Sequence, residues 1–335
     1  MLRMSDGTEL LVVDAPTVRR LLPMARCIEV MAEALAGLAR DQAVNPLRSV
    51  VELPFPSSWL AMMPGAQVDP PVFGVKVISI FNENRVAGFE THQGVVLLFE
   101  AQHGSPVAIV DASEVTALRT AAVSGVATGT LARPDASEVA IIGSGTQART
   151  HLEAMLAVRP IDRVRAWSPT RERLEAFVAD ARARHEVPIE AVDGPQEAVE
   201  GASIICTVSG ASEPVVRAEW LSPGAHINAV GSALPTAREL DAETVRRSRF
   251  YADRRESALN EAGDLLLAIR DGVVTADHVI GELGQVLIGA AEGRTSPDDI
   301  TVFESLGLAV EDVAAARAVV EAARAEGAGT TVRLT

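Results

Sequence analysis

Lysine is all but absent from this chain: among its 30 lysine and arginine residues, Lys76 is the single lysine and the rest are arginine. A drift toward arginine replaces any lysine whose only task is solvated charge, but not one whose task needs a compact ammonium or a titratable amine. Lys76 is therefore a functional candidate before any motif is considered. Cysteine is scarce too. Cys27 and Cys206 stand far apart without metal-ligand spacing, and Cys206 lies in an apolar run, Ser203 to Val208, which reads as two buried thiols in a reducing compartment. Aromatics make up only 4% of the residues, with Tyr251 the single tyrosine. No basic run exists, and 45 acidic residues outweigh the 30 basic ones to give a net charge of -15. Binding of nucleic acid or an anionic membrane through bulk electrostatics is excluded. No window approaches the roughly 18 apolar residues of a membrane span, and no charged N-terminal segment leads into an apolar stretch. The expectation is a soluble, cytoplasmic protein.

What is present is ordinary globular material, with 48% hydrophobic and 22% charged residues over 335 positions, enough for about two domains. Asp14 is placed to cap a helix with Pro16 in its first turn, and Pro23 restarts it. Apolar residues recur at helical spacing from Met24 to Leu38. Short runs then read as strands: Arg48 to Leu53, Trp59 to Met63, Val72 to Ile80 and Val95 to Phe99, separated by loops rich in Gly, Pro and Asn. After Asp111 the character changes. A small-residue helix covers about Ala112 to Leu131, and strands then alternate with helices: Val139 to Ile142, Thr146 to Val158, Val164 to Trp167, Arg171 to Ala183, Ile204 to Val208 and His226 to Val230. That alternation implies βαβ units and a parallel sheet. The tail from Leu308 to Glu326 is alanine-rich and helical.

The strongest local motif is Val139 to Ala148, VAIIGSGTQA, an apolar strand that runs into G-x-G-x-x-A and then a helix. Gly143 permits the tight turn, Gly145 lets backbone N–H groups approach a pyrophosphate at the helix N-terminus, and Ala148 allows close packing of helix on strand. The flanks are those that dinucleotide binding requires. An acid about 20 residues further on would take the ribose 2′-hydroxyl of NAD. Here the tip reads Trp167-Ser168-Pro169-Thr170-Arg171-Glu172-Arg173, hydroxyls and two arginines, which favours NADP(H), with NAD(H) the alternative.

Lys76 lies in the apolar run VFGVKVISI, where an ammonium is costly unless an anion meets it and where desolvation lowers its pKa. Arg48 opens a strand, and Arg119 sits among small residues in VTALRTAA, where its fork can meet a carboxylate or phosphate. The six histidines share no ligand spacing, so no metal is expected, and no G-x-S-x-G elbow exists. His92, in the loop after the Lys76 strand, is a further site candidate.

The stretches GVKVISIF, THQGVVLLFE, LRTAAVSGVAT, IIGSGTQA, HINAVGSALPTARELD, GELGQVLIG and ITVFESLGLAVED together resemble the ornithine cyclodeaminase/mu-crystallin family, over nearly the whole chain. The resemblance implies a homodimer of α/β class. In it a Rossmann dinucleotide-binding domain, residues 119–309, is inserted into a discontinuous α+β substrate-binding and dimerisation domain, residues 1–118 plus 310–335. By motif, Arg48 and Lys76 would hold the substrate carboxylate, with Arg119 and Leu306 also at the substrate. Thr91, Arg119 and Thr120 would meet the cofactor's phosphates or nicotinamide end. Gly143, Gly145, Thr146, Gln147 and Ala148 would lie on the pyrophosphate, and Ser168, Thr170 and Arg171 at the adenosine ribose. Thr207, Val230, Gly231, Ser232 and Ser305 would follow the cofactor toward the nicotinamide.

One departure redirects the chemistry. Cyclodeaminases of this family carry a catalytic aspartate shortly after the V-G of the NAVG segment, and here that position is Ala233. Alanine cannot shuttle a proton, so ornithine cyclodeamination is disfavoured. The resemblance then implies an oxidoreductase that reduces a cyclic imino acid, a Δ1-pyrroline-2-carboxylate-like ketimine, with NADPH; Lys76 or a bound water would give the proton. The alternatives are an alanine dehydrogenase-like amino-acid dehydrogenase, an N-alkylating imine reductase, and a mu-crystallin-like NADPH-dependent carrier of small ligands. The last is weakened by the shortage of aromatic residues.

Overall fold

The computed structural model describes residues 9–84 and 88–334. Strand pairing is of two kinds, and each kind belongs to one of the two units into which the chain divides. The first unit is Met1–Arg119 with Leu308–Thr335, and the second is Thr120–Gly307.

In the first unit, strands β1 (Glu9–Val13), β2 (Ala43–Val44), β3 (Ser49–Glu52), β4 (Ser58–Gln67), β5 (Val72–Phe81), β6 (His92–Glu100) and β7 (Pro106–Asp111) are joined by the last strand of the chain, β16 (Thr330–Arg333). Their order is β16-β1-β7-β6-β5-β4-β2, with β3 also on β4. All pairs are antiparallel except β1 with β7. Strand β4 runs further than the apolar run Trp59 to Met63 indicates, because it continues through Pro64 and Gly65. β3 pairs with residues 59–62 of β4 and β2 with residues 66 and 67, so Pro64 falls where one side of β4 has no ladder to break.

Among the described residues, three helices lie wholly within this unit. Asp14 caps Ala15–Leu21 by accepting from the Thr17 N–H at 3.1 Å. Met24–Ala39 buries Cys27, Val30, Met31, Ala34, Leu35 and Leu38. Ala309–Glu326 packs between that helix and strands β4, β5 and β6. Its approach to the sheet is close because of Gly65. A Cβ there would lie 3.1 Å from the backbone carbon of Ala309 and from the Val310 nitrogen.

The second unit holds β8 (Glu138–Ile142), β9 (Arg163–Trp167), β10 (Ile189–Ala191), β11 (Ile204–Thr207), β12 (His226–Ala229), β13 (Ser248–Ala252), β14 (Val279–Glu282) and β15 (Ile300–Glu304). The order is β10-β9-β8-β11-β12-β15-β13-β14, parallel throughout. From β8 the chain winds outward to β10, then returns to the other side of β8 at β11. This is the doubly wound Rossmann arrangement, and the reversal between β8 and β11 opens a crevice at the carboxyl ends of the strands. The βαβ strands from Val139 to Val230 lie within about a residue of their sequence expectation. Strands β10, β13, β14 and β15 were not among the runs that the sequence marked as strands. Helix Ala112–Leu131 is nearly all buried, and the boundary between units falls within it, after Arg119. No helix among the described residues is long and apolar enough to cross a membrane.

Candidate active site

In the first unit, the alternation of β5 turns Val72, Gly74, Lys76 and Ile78 to the face covered by helix Ala309–Glu326, so Lys76 is 1% exposed. An ammonium there needs an anion, and the helix supplies one. Lys76 Nζ lies 2.8 Å from Asp312 Oδ2, and that carboxylate is itself fully buried. Asp312 Oδ1 accepts from Arg119 Nε at 2.9 Å, and Arg119 Nη1 donates to Glu311 Oε2, also at 2.9 Å. Glu311 Oε2 in addition accepts the Leu308 N–H, and Asn45 Oδ1 accepts the Val310 N–H, so the first turn of the helix is tied at both points. Thr116 Oγ1 is 3.4 Å from Lys76 Nζ.

The result is a buried chain of alternating charge, Lys76, Asp312, Arg119, Glu311, whose net charge is zero. Arg48, just ahead of β3, is close enough to act on Lys76. Counted with it, three cations face two anions, a balance suited to one incoming carboxylate. Burial pushes the Lys76 ammonium down to about 8, with Asp312 opposing and Arg119 and Arg48 reinforcing the fall. Lys76 is thus an ammonium that can release its proton near neutral pH. Thr91, just ahead of β6, places its hydroxyl 3.0 Å from His92 Nδ1 on the surface.

In the second unit, the expected cofactor residues gather at the carboxyl ends of the strands. The Gly143 turn follows β8, Ser168 follows β9, Thr207 ends β11, Val230 to Ser232 follow β12, and Ser305 and Leu306 follow β15. Gly143 has φ +138°, and a Cβ there would lie 2.6 Å from the Val208 carbonyl oxygen, across the reversal point. Gly145 precedes helix Thr146–Val158, and a Cβ on it would meet nothing within 4 Å. The space before the helix N-terminus is open, as an approaching pyrophosphate requires. Ala148 and Thr120 are buried. Gln147 Oε1 and Ser305 Oγ are buried and meet no hydrogen-bond partner among the described residues. Open space before the glycine turn and two orphaned polar atoms fit a dinucleotide. Ser144 Oγ donates to Ser168 Oγ at 2.9 Å. Arg171 is exposed and engaged by Glu175 and Asp193, so a 2′-phosphate would have to compete for it. The helix is anchored from below by His151, whose Nδ1 lies 2.8 Å from the Gln147 carbonyl and whose Nε2 lies 2.9 Å from Ser124 Oγ. Burial holds that imidazole neutral, down to about 4.

The sequence reading missed a set of buried acids at the same edge. Asp264 Oδ1 accepts the Glu239 and Leu240 N–H groups, Glu239 accepts those of Ser209 and Gly231, and Asp253 Oδ2 accepts those of Leu306 and Gly307. These carboxyls stitch together the loops after β11, β12 and β15. Ser232 Oγ lies 2.6 Å from Asp264 Oδ2 and 2.8 Å from Glu304 Oε1. One hydroxyl has one proton, so both contacts are hydrogen bonds only if one carboxyl is protonated and donates to Ser232. Burial first, then the nearby Asp264, hold Glu304 well above the usual carboxyl range, and burial also raises Asp264. Burial pushes Glu239 up to about 7.

The profile of the ornithine cyclodeaminase/mu-crystallin family matches residues 9–327. A Δ1-pyrroline-2-carboxylate reductase of Bacillus cereus is 35% identical over 324 residues, covering 96% of this chain and 99% of that protein. Two solved structures superpose closely. The Thermococcus litoralis Δ1-pyrroline-2-carboxylate reductase in complex with NADH and L-proline has a TM-score of 0.94 at 35% identity, covering 96% of this chain and all of that one. An archaeal alanine dehydrogenase dimer with bound NAD has a TM-score of 0.92 at 31% identity, covering 98% of this chain and all of that one. With the match running almost from end to end, the chain belongs to the ornithine cyclodeaminase/mu-crystallin family.

Proposed function

We propose that this protein is an oxidoreductase acting on C=N bonds, and that it reduces a cyclic imino acid of the Δ1-pyrroline-2-carboxylate class to the cyclic amino acid with NADPH. The observation that carries the reading is Lys76, a buried ammonium held at about 8 beside Arg119 and Arg48. Such a group binds a carboxylate and can also give up a proton at neutral pH. Ala233, where cyclodeaminases hold their aspartate, supports reduction over loss of ammonia. The nicotinamide, bound by the glycine turn and the residues at the carboxyl ends of the second unit's strands, supplies the hydride. The chain's own residues do the rest. Arg48 and Lys76 fix the carboxylate, which removes much of the orientational freedom that a reacting imine would otherwise have to lose. Lys76 supplies the proton to the imine nitrogen.

NADPH is favoured by the absence of an acid from Trp167 to Thr170, while the two structural relatives carry NADH and NAD. Cofactor oxidation with Δ1-pyrroline-2-carboxylate and no added amine tests the reading. Turnover is expected, with a lower KM for NADPH than for NADH. Turnover only with a 2-oxo acid plus an amine would favour the alanine dehydrogenase-like alternative, and a clear preference for NADH would overturn the cofactor choice.

We also infer a homodimer. The face of the first unit's sheet opposite Lys76 is apolar, and among the described residues no helix packs on it: Leu60, Met62, Phe73, Val75, Val77, Val95, Leu97 and Phe99 line it in register. Phe73 and Phe99 stack at 5.1 Å, and Phe73 and Val95 are exposed in the single chain. A patch of this kind calls for a partner, and we assign it to a second copy; the archaeal alanine dehydrogenase that superposes on this chain is itself a dimer.

A further inference from the structure

Asp312 has nothing in its local sequence to mark it, yet it determines what Lys76 can do. Its two oxygens serve different cations, Oδ2 facing Lys76 and Oδ1 accepting from Arg119. Arg119 is in turn fixed by Glu311, whose Oε2 is tied to the Leu308 N–H. The carboxylate therefore cannot swing away from Lys76 without abandoning a guanidinium. An ammonium has three N–H donors. Thr116 accepts from one of them and Asp312 pairs with the charge at 2.8 Å, so the ammonium keeps donor capacity for a ligand.

We propose that Asp312 is the positioning residue of the reaction: it orients the Lys76 ammonium and keeps it protonated until the imine nitrogen takes the proton. This rests on the reduction proposed above. The groups facing Lys76 are Asp312 from helix Ala309–Glu326, Arg119 and Thr116 from helix Ala112–Leu131, and Arg48 from the segment ahead of β3, with Glu311 behind them on Arg119. Burial, Arg119 and Arg48 all favour the neutral amine, and Asp312 opposes them. Without Asp312 the site would hold a neutral amine at physiological pH, which is a base and not an acid. In the step itself, an N–H bond of Lys76 breaks as the N–H bond of the imine forms. The imine carbon gains the hydride that the nicotinamide loses, so the imine is reduced and the cofactor oxidised. Lys76 is left as an amine beside Asp312 and recovers a proton from water after the product leaves.

The scarcity of lysine makes the test direct. Protein labelled with 13C,15N-lysine gives a single side-chain signal, since Lys76 is the sole lysine, and its titration needs no substrate. The wild-type midpoint is expected near 8. In Asp312→Asn it should fall by a unit or more, and the alkaline limb of kcat/KM should move down with it. Activity at pH 8 would then drop at least about fivefold more than at pH 6, while NADPH binding stays unchanged. Asp312→Glu should restore most of both. Arg119→Gln, which frees Asp312 for Lys76 alone, should move the midpoint and the limb upward, and it serves if Asp312→Asn does not fold. An unchanged lysine midpoint in a folded variant overturns the proposal. Absence of turnover in the wild type would instead overturn the reduction reading and leave the titration standing.

Discussion

At the scale of single residues, the site is a problem in buried charge. Removing one member of a buried ion pair strands the other at a cost of about 3–5 kcal/mol, so Lys76, Asp312, Arg119 and Glu311 stand or fall together. Lys76→Met is expected to lower kcat by about 10²–10⁴, the usual worth of a positioned acid or base, as measured by NADPH oxidation. Lys76→Arg should do nearly as badly although the charge is kept, because a guanidinium does not release its proton in this pH range. Lys76 was legible in the sequence because a charge inside VFGVKVISI has no bland explanation. Asp312 and Glu311 were not. Two acids in the first turn of a helix are what the helix dipole favours at any surface, and only the packing of that helix against both Met24–Ala39 and the sheet turns them into buried counter-ions. Glu304 was hidden in the same way, as an acid closing the apolar run ITVF.

Elements carry these residues, and their spacing is tightly set. At Gly65 the helix Ala309–Glu326 meets β4 backbone to backbone. Gly65→Val is expected to push the helix off the sheet and stretch the Lys76–Asp312 contact, lowering kcat/KM at least tenfold (about 1.4 kcal/mol) while NADPH binding, measured by fluorescence, is retained. At the carboxyl edge of the parallel sheet, the raised acids make stability depend on pH. A carboxyl whose folded pKa exceeds its unfolded value contributes its stability fully below the unfolded pKa, and that contribution is lost as pH rises through the folded pKa. For Glu239 the window runs from 4.5 to about 7, and Glu304 extends it upward. Glu304→Gln, a stand-in for the protonated acid, should keep the wild-type Tm near pH 6 and lose less of it between pH 6 and 9. A steeper loss would mean that Glu304 is ionised in the folded protein. Most of the elements themselves were legible from periodicity and the glycine turn. Strands β1, β2, β7 and β16 escaped because they are short or lie at or near the sheet's ends, where neighbours rather than local pattern decide pairing.

For the whole molecule, the sheet of the first unit has one face covered and one bare, and a second copy is the expected cover. Val95→Glu adds a charge to a side chain already exposed in the single chain, so folding should survive while association does not. Light scattering coupled to gel filtration should then report a mass near 35.3 kDa in place of about twice that. A dimer-sized mass in this variant would place the interface elsewhere. The order in which the first unit is assembled has a further consequence. Strand β16 pairs with β1, and Asp312 meets Lys76, although the whole second unit is made between them. At about 5–20 residues per second, a ribosome needs roughly ten to forty seconds to cross that insert. During this interval Lys76 lacks Asp312, and the sheet lacks the cover that helix Ala309–Glu326 gives to β4, β5 and β6. The Rossmann unit can complete its sheet while the older strands wait, so a nascent chain is most exposed to chaperones and proteases in its first unit until residues 308–335 arrive.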